Sequence, residues 1–333
     1  MKIIQSESSN IYIGGASLTE HNFSSYSNIA ILVDENTNKY CLPLFFEQVP
    51  SLANALIIEI ESGEKNKNLT TCNLIWKELS QHSFNRNSIL INLGGGVIND
   101  IGGFTASTYK RGINFIHIPT TLLAMADASI GGKVGVNFSE IKNQIGLFKN
   151  PTTILIYPKF LQTLKKNQLH SGFAEIVKHA LIANVELWDQ IKKTPFADLN
   201  LQEIIEISVQ LKTKIVLSDP YEQNTRKKLN FGHTFGHAIE SYYLAKGIPI
   251  LHGEAVFLGI ILELDLSNIS KEEKTEIKNF ILSNFSLPHC PSKLEIHKYL
   301  KNDKKNMTGK INFSLLNGIG NCSFNNLFSI NEL

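Results

Sequence analysis

The chain has 333 residues, of which 43% are hydrophobic and 19% charged, and its formal net charge is +2. This length suits two domains rather than one small core, and the near-neutral charge gives no general case for binding nucleic acid or a membrane surface. The four cysteines are scattered without a CxxC pair, which argues against a zinc knuckle and a disulfide framework. The start turns polar at once and no apolar run approaches the length of a membrane span, so we expect a cytoplasmic protein.

In the first half of the chain, short apolar runs alternate with helical patterns. Strands are predicted at residues 29–33, 55–60, 88–93, 115–119 and 153–157, and an amphipathic helix at residues 70–79. Such runs, separated by helices, predict a parallel sheet that is covered on both faces. Ligands of such sheets bind at the carboxyl ends of the strands, where Asp34, Glu64, Thr120 and the glycines at 94–96 fall.

After about Pro158 the pattern changes to long helical periods. Helices are predicted at residues 172–182, 201–217, 229–243, 254–266 and 271–285. Near the end, residues 311–316 partly alternate apolar and polar side chains, and Asn317-Gly318 is a suitable turn, which predicts one arm of a hairpin. We therefore expect an α/β domain with a Rossmann-like parallel sheet over residues 1–158 and a mainly α-helical domain over residues 159–333.

The glycine run at 94–96 stands between a predicted strand and the start of a predicted helix. Backbone N–H groups at a helix N-terminus, without side chains in the way, suit a phosphate or pyrophosphate. The spacing is not GxGxxG, so the ordinary dinucleotide fingerprint fails. Asp34 at a strand end could accept hydrogen bonds from ribose hydroxyls, and an N-cap role is about equally well supported.

A second glycine-rich segment, residues 127–137, contains Gly131-Gly132-Lys133. It does not match a P-loop, because Val134 stands where a magnesium-binding Ser or Thr is required. We therefore interpret the segment as a flexible glycine loop that presents a lysine to an anion. Arg111 before it and Lys142 after it are further cations in glycine-rich, otherwise apolar sequence.

The histidines indicate a metal site. His233 and His237 are four residues apart, which places them on one face of a helix, one turn apart. His252 follows, and Glu175 lies upstream. Two histidines and one glutamate with an open position form a known catalytic zinc arrangement. Spacing alone would pair His233 with His237 as ligands, and the structural alternative is a helix with two ordinary histidines.

Cations accompany these candidate ligands. Glu175 and Lys178 are three residues apart, so they could also form a surface ion pair worth only a few tenths of a kcal/mol. Lys178, Lys212 and Arg226 would supply positive charge near a metal. Such a set fits a substrate that carries phosphate and carboxylate groups.

Taken together, these segments resemble the 3-dehydroquinate synthase family of the sugar-phosphate cyclase superfamily. The resemblance rests on residues 94–104, 109–112, 119–124, 127–137, 142–146, 172–178, 229–240, 252–256 and 303–305. Several positions depart from the family pattern; among them, Val134 stands where Thr is common and Asn99 where a small Gly is usual.

The resemblance implies a nucleotide-binding α/β domain, a helical domain that binds metal and substrate, and a homodimer. It also implies NAD⁺ and a divalent metal, zinc or cobalt. The implied reaction converts 3-deoxy-D-arabino-heptulosonate 7-phosphate to 3-dehydroquinate and phosphate in the shikimate pathway to chorismate and aromatic amino acids. It proceeds by transient oxidation, phosphate elimination, re-reduction and intramolecular aldol cyclisation, so it is a lyase reaction with no net redox change.

The resemblance also assigns residues to each role. The implied metal ligands are Glu175, His233 and His252, and His237 is assigned to substrate and proton transfer instead. The implied NAD-binding residues are Asp34, Ser62, Gly63, Glu64, Lys65, Asn66, Lys67, Gly95, Gly96, Val97, Ile98, Asn99, Asp100, Thr120, Thr121, Asp127, Lys133, Lys142, Phe160, Leu161, Gln162 and Thr163. The implied catalytic and substrate-binding residues are Arg111, Lys133, Asn143, Lys178, Lys212, Glu222, Arg226, Asn230, His237 and one lysine of Lys304 and Lys305.

Three alternatives share parts of this pattern. A metal-dependent polyol or alcohol dehydrogenase of the same fold does not need a cation set for phosphate and carboxylate. A sister cyclase acting on sedoheptulose 7-phosphate would be expected to change the cations that meet the carboxylate. A non-catalytic relative that serves as a binding module would be expected to lose a metal ligand or a key lysine. The chain retains the candidate metal ligands and the candidate cations for phosphate and carboxylate, which favours the dehydroquinate synthase interpretation.

Overall fold

The computed structural model describes residues 1–6, 9–139, 141–300, 310–329 and 332–333. The chain groups into two compact units. The first unit is Met1–Lys165 with Leu201–Thr213, and the second is Lys166–Asn200 with Lys214–Leu333. A division into domains at residue 158 stays a prediction. Within the described ranges, every helix is too short or too polar to cross a membrane.

The strands and helices are numbered in chain order. The strands are β1 (Lys2–Gln5), β2 (Asn10–Ile13), β3 (Ile29–Asp34), β4 (Leu56–Ile60), β5 (Ile89–Gly94), β6 (Asn114–Pro119), β7 (Lys133–Phe138), β8 (Ile141–Phe148), β9 (Thr153–Ile156), β10 (Lys310–Leu316) and β11 (Cys322–Ser329). The α-helices are α1 (Glu35–Tyr40), α2 (Leu42–Gln48), α3 (Leu69–Gln81), α4 (Gly96–Thr108), α5 (Lys166–Ala183), α6 (Val185–Lys193), α7 (Leu201–Ser218), α8 (His233–Ala245), α9 (His252–Leu266), α10 (Lys271–Asn284) and α11 (Lys293–Leu300).

The first unit is built on a seven-stranded sheet in the order β1-β2-β9-β6-β5-β3-β4. All neighbouring pairs are parallel except β1–β2. Every residue of the interior strand β5 is buried, as expected for a strand covered on both faces. The predicted Rossmann-like parallel sheet is therefore confirmed, and its carboxyl edge carries the loops after β3, β4, β5 and β6.

One prediction in this unit is wrong. The glycine segment at 127–137 is not a flexible loop throughout, because its second half forms β7 and pairs antiparallel with β8. Gly135 and Gly146 face each other in this hairpin, and a Cβ on either one would lie 2.6 Å from a carbonyl oxygen of the opposite strand. Glycine at both positions therefore lets the two backbones approach, which local sequence patterns did not indicate.

The second unit is mainly helical, as predicted, and β10 and β11 form the expected terminal hairpin. Apolar side chains of α8, α9, α11 and β10, Phe235 and Phe313 among them, form one core. The predicted helix at 229–243 begins too early, because Gly232 has φ +78° and interrupts it. Residues Thr225–Asn230 form a 3₁₀ helix, and α8 begins at His233.

Candidate metal centre and cofactor-binding residues

Three side chains from three helices of the second unit converge on one point. Glu175 lies on α5, His233 is the first residue of α8 and His252 is the first residue of α9. Oε1 of Glu175 lies 3.2 Å from Nε2 of His233 and 3.0 Å from Nε2 of His252. These donor atoms lie within 4.8 Å of one another, a set that could hold a metal ion. His237, which spacing alone would pair with His233, is not in that set.

The donor chemistry fits a divalent cation. The Nδ1 of His233 lies 3.1 Å from the carbonyl oxygen of Phe231, and the Nδ1 of His252 lies 3.4 Å from Oε1 of Glu240. Both acceptors favour a proton on Nδ1, so each ring would present the lone pair of Nε2 to a cation held beside the same carboxylate. A metal-binding histidine usually donates its other ring N–H in this way. Two imidazole nitrogens and one carboxylate oxygen form a zinc-type ligand set with a position open for substrate.

The buried charges at this point are strongly coupled. Burial raises the pKa of Glu175, but the charge of Lys178 and the neighbouring His233 outweigh burial and hold that pKa well below its usual range. Burial lowers the pKa of His233, and Glu175 offsets only part of that effect. For His252, burial also acts to lower the pKa, but hydrogen bonds to Glu175 and Glu240 raise it to about 10. Glu175 is therefore a buried carboxylate whose negative charge is compensated by Lys178 and by hydrogen bonds to the histidines.

Close packing of α8 against α9 positions the two histidines. A Cβ on Gly259 would lie 1.9 Å from the carbonyl oxygen of Gly232, so only glycine allows this approach. Glu263 on α9 is fully buried and accepts hydrogen bonds from the backbone N–H groups of Gly232 at 2.6 Å and Thr234 at 3.1 Å. The carboxylate thus caps α8 at its positive end, where Gly232 offers no capping side chain.

The predicted substrate residues of the second unit lie close in sequence to the candidate metal ligands. Lys178 forms an ion pair with Glu175, and it is buried rather than at the surface. Asp219 accepts hydrogen bonds from the backbone N–H groups of residues 223, 224 and 226 and so shapes the loop before α8.

On that loop, Asn230 donates to Glu222 at 2.7 Å, and the buried Arg226 donates through Nη1 to the carbonyl oxygen of Pro220 at 2.5 Å. His237 is exposed, and its ring centroid lies 5.4 Å from that of His233. Lys304 and Lys305 lie outside the described residues.

In the first unit, the predicted cofactor residues gather around a buried lysine. Lys67 follows the loop after β4, and its Nζ contacts Oδ2 of Asp100 on α4 and Oδ1 of Asn143 on β8. Burial would lower the pKa of Lys67, but the charges of Asp100 and Glu64 outweigh it and raise that pKa. Asn137 donates to Oε1 of Glu64 at 2.8 Å and so ties the β7–β8 hairpin to this loop. Ser62, Gly63, Lys65 and Asn66 lie in the same loop.

A second buried lysine lies in the same unit. Lys212 on α7 is 5% exposed, and its Nζ lies 2.8 Å from Oδ1 of Asp127 and 2.6 Å from the carbonyl oxygen of that residue. Asp127 belongs to a single π-helical turn, Ala124–Ala128, after β6. Residues 127 and 212 are therefore a structural pair, although one was predicted for the cofactor and the other for the substrate.

The glycine run fits a pyrophosphate. α4 begins at Gly96 with no side-chain cap, directly after β5. A Cβ on Gly94 would lie 2.5 Å from Ile98, and one on Gly95 would lie 3.1 Å from Cγ2 of Thr121, so packing within the protein requires glycine at both positions. With no capping side chain, the N–H groups of the first turn suit an anion. Asn99 is 1% exposed, and neither polar atom of its amide has a partner among the described residues. An orphaned amide in this first turn suits a bound polar ligand.

Other predicted cofactor residues have structural roles of their own. Asp34 caps α1, because its Oδ1 accepts hydrogen bonds from the backbone N–H groups of Asn36 and Thr37 at 3.0 and 2.8 Å. The capping alternative is therefore confirmed, and a ribose contact stays a prediction. Thr120 follows β6 and donates its backbone N–H to Gly94 at 3.0 Å. Residues 160–163 lie in the 3₁₀ helix Pro158–Thr163, where the side chains of Phe160 and Leu161 are buried.

The structure separates Arg111 from this group. It follows the C-terminus of α4 and precedes β6, so it lies at the edge where the strands begin. A helix of 13 residues is about 20 Å long, which separates Arg111 from the glycine run at the other end. Lys133 and Lys142 are exposed on the β7–β8 hairpin. A substrate contact of Arg111 and cofactor contacts of the two lysines stay predictions.

Sequence reasoning missed three carboxylates that organise the second unit. They are Asp219, Glu240 and Glu263. Glu240 had a usable signal, because it continues the helical spacing of His233 and His237. Glu263 also had one, since it stands within the otherwise largely apolar run of α9. Asp219 had none, because its partners are backbone N–H groups of a loop.

Comparison with known proteins gives one consistent result. Residues 57–171 match the family model of the 3-dehydroquinate synthase N-terminal region, and residues 172–306 match that of the C-terminal region. The 3-dehydroquinate synthase of Parabacteroides distasonis is 41% identical over 309 residues, which cover 90% of this chain and 87% of that protein. The 3-dehydroquinate synthase of Prochlorococcus marinus is 40% identical over 296 residues, covering 84% and 79%.

The fold has a similar match among solved structures. The 2-epi-5-epi-valiolone synthase of Streptomyces hygroscopicus subsp. jinggangensis, solved with NAD⁺ and Zn²⁺ bound, superposes with a TM-score of 0.83 at 27% identity. The alignment covers 100% of this chain and 96% of that one.

Proposed function

The chain belongs to the 3-dehydroquinate synthase family, and we propose that it converts 3-deoxy-D-arabino-heptulosonate 7-phosphate to 3-dehydroquinate and phosphate. The observation that carries the proposal is the convergence of Glu175, His233 and His252, with the Nδ1 of each histidine beside an acceptor. A glycine-bare helix N-terminus in the first unit supports a dinucleotide in the same protein. Relatives at about 40% identity carry the same name.

The cofactors divide the chemistry between them. When bound, the divalent cation supplies Lewis-acid polarisation and NAD⁺ supplies a reversible hydride acceptor. Glu175, His233 and His252 would hold the cation. The first turn of α4 would hold the pyrophosphate, and Asp100 is positioned beside it by Lys67.

The remaining groups bind the substrate and move its protons. Lys178 is held against Glu175, so its ammonium group places positive charge beside the ligand carboxylate. Arg226, anchored through Nη1, keeps a planar guanidinium in place for a phosphate or carboxylate. Asn230 and Glu222 are joined by a hydrogen bond, which orients both side chains before substrate arrives. The exposed imidazole of His237 is the group that we assign to proton transfer with the substrate.

The first experiment measures phosphate release from 3-deoxy-D-arabino-heptulosonate 7-phosphate by the purified protein, with and without NAD⁺ and a chelator. We expect release that needs both cofactors, with no net NADH accumulation. Steady NADH accumulation would instead indicate a dehydrogenase, and release only from sedoheptulose 7-phosphate would indicate the sister cyclase. His233→Ala should abolish release, whereas His82→Ala, the same change at an exposed histidine of the first unit, should not.

We also propose a cytoplasmic homodimer that takes a small phosphorylated sugar acid as substrate. The family resemblance supports this assignment. Light scattering after size exclusion should give twice the chain mass of 37.2 kDa. A value equal to one chain would contradict the dimer.

A further inference from the structure

Glu240 has no role in the function proposed above, although it lies in the metal-binding helix. His233, His237 and Glu240 occupy positions i, i+4 and i+7 of α8, so their side chains lie along one face. Glu240 is 8% exposed. A carboxylate is costly to bury unless hydrogen-bond donors or cations compensate its charge. The groups that it contacts therefore indicate why the chain keeps it there.

One of those groups is the imidazole of His252. Oε1 of Glu240 lies 3.4 Å from Nδ1 of His252, and Oε1 of Glu175 lies 3.0 Å from Nε2 of the same ring. The two carboxylates thus hold opposite nitrogens of one ring. If Nδ1 donates its proton to Glu240, Nε2 keeps its lone pair for the cation position that Glu175 and His233 also face.

His233 needs no such partner from another helix. Its Nδ1 lies 3.1 Å from the carbonyl oxygen of Phe231, only two residues away, and its side chain is 12% exposed. The side chain of His252 is 29% exposed, so packing restrains its ring less. His252 is therefore the less enclosed of the two histidines, and it is the one that Glu240 of α8 contacts.

We propose that Glu240 is a positioning residue that holds the His252 ring through Nδ1–H, so that Nε2 faces the metal position. This inference rests on the metal centre of the proposed function. It differs from a purely structural role of Glu240 in one respect. Loss of the hydrogen bond should change metal binding more than it changes the stability of the metal-free protein.

The test measures Zn²⁺ dissociation constants of the full chain by competition with a chromophoric chelator. Glu240→Leu, which removes the acceptor, should weaken Zn²⁺ binding between 10-fold and 100-fold, roughly the effect of losing an outer-shell partner. Glu240→Gln, which keeps an acceptor oxygen at the same reach, should stay within about 5-fold of wild type. Visible absorption of the Co²⁺ form should change its band shape in Glu240→Leu and not in Glu240→Gln.

Glu254→Gln is the matched control. Glu254 lies two residues from His252, but its carboxylate accepts a hydrogen bond from the backbone N–H of Leu251 at 2.8 Å. This variant loses the same charge near the same ligand, and its Zn²⁺ affinity should equal that of wild type. If Glu240→Leu fails to fold, Glu240→Asp replaces it, and its shorter reach should weaken binding by about 10-fold.

Two outcomes would overturn the role of Glu240. One is a Zn²⁺ affinity of Glu240→Leu equal to wild type, and the other is a loss in Glu240→Gln as large as in Glu240→Leu. The wild-type arm tests the metal centre separately. If the wild-type protein fails to bind one Zn²⁺ ion per chain, that result would overturn the metal centre itself, and with it this inference.

Discussion

Both compact units bury a lysine against a carboxylate, but they build the pair in different ways. In the first unit, Lys67 lies in a loop, and its partners Asp100 and Asn143 come from a helix and a hairpin 33 and 76 residues further along the chain. In the second unit, Lys178 and Glu175 are three residues apart on α5. The first pair exists only once the sheet has formed, whereas the second is present in any helix of that sequence.

The two lysine–carboxylate pairs therefore differ in role: one stabilises local structure, and the other also takes part in a candidate site. The pair in the first unit ties the loop after β4 to the start of α4, so its role is to assemble that part of the unit. In the second unit the Glu175 carboxylate also faces two imidazoles, so the pair adjoins the candidate metal centre. We therefore expect disruption of the second pair to affect chemistry and stability together, and disruption of the first to affect stability most.

The largest expected effect comes from Glu175→Gln. The change keeps the shape but removes the charge that pairs with Lys178, and loss of one partner of a buried ion pair costs about 3 kcal/mol. Loss of a metal ligand should also lower kcat/KM by about 10³-fold, equivalent to several kcal/mol of Lewis-acid stabilisation. Urea unfolding and phosphate release measure the two effects. Glu272→Gln, exposed on α10, should change neither, and a Glu175→Gln protein that kept wild-type activity would refute the shared role.

Lys67→Met tests the pair in the first unit. The Lys67 side chain is 4% exposed and that of Asp100 is 21% exposed, so water compensates part of the loss and we expect about 2 kcal/mol of destabilisation. Adding Asp100→Asn should restore part of the stability, because the uncompensated charge is then gone. Lys65→Met, at an exposed lysine of the same loop, is the control. Strictly additive effects of the two substitutions would argue against a coupled pair.

Glu263→Gln tests whether α9 holds the start of α8 through a buried charge. An amide has one acceptor oxygen where the carboxylate has two, so one backbone N–H should lose its partner at a cost of about 2 kcal/mol. Chemical denaturation of the metal-free protein measures this loss. Asp265→Asn, at an exposed acid of the same helix, should have no effect. Equal stability of the two variants would show that Glu263 is replaceable.

The smallest effect concerns a neutral polar contact within the sheet of the first unit. Burial lowers the pKa of His117 to about 3, and its Nδ1 lies 3.2 Å from Nδ2 of Asn92. The unfolded chain protonates His117 near its ordinary pKa of 6.5, so stability is complete above that pH and falls as the pH drops towards 3. Lowering the pH from 8 to 5.5 should therefore reduce the free energy of unfolding by about 1.4 kcal/mol through this histidine.

Urea unfolding of wild type and His117→Asn at both pH values measures this contribution. The variant keeps a polar atom near the position of Nδ1 but cannot be protonated, so its pH dependence should be smaller by that amount. His82→Asn, at an exposed histidine, should retain the wild-type pH dependence. Identical pH dependence in wild type and His117→Asn would contradict the assignment.

Local patterns in the sequence were sufficient for most elements. The predicted strands at 29–33, 55–60, 88–93, 115–119 and 153–157 all form, because short apolar runs separated by helical segments favour strands of a sheet that is covered on both faces. The helical periods of α3, α7, α9 and α10 were also predicted correctly. The motifs together were specific enough to indicate the family, and the matching family models confirm that resemblance.

Tertiary structure decided the rest, because those features depend on groups far apart in the chain. The break at Gly232 follows from close packing against Gly259, and no local pattern states which helix will lie there. Spacing of three residues between Glu175 and Lys178 is equally compatible with a solvated pair and a buried one, and only the packing of α5 made it buried. Likewise, the sequence contained both His252 and Glu240, but only the antiparallel approach of α8 and α9 brought Oε1 within reach of Nδ1.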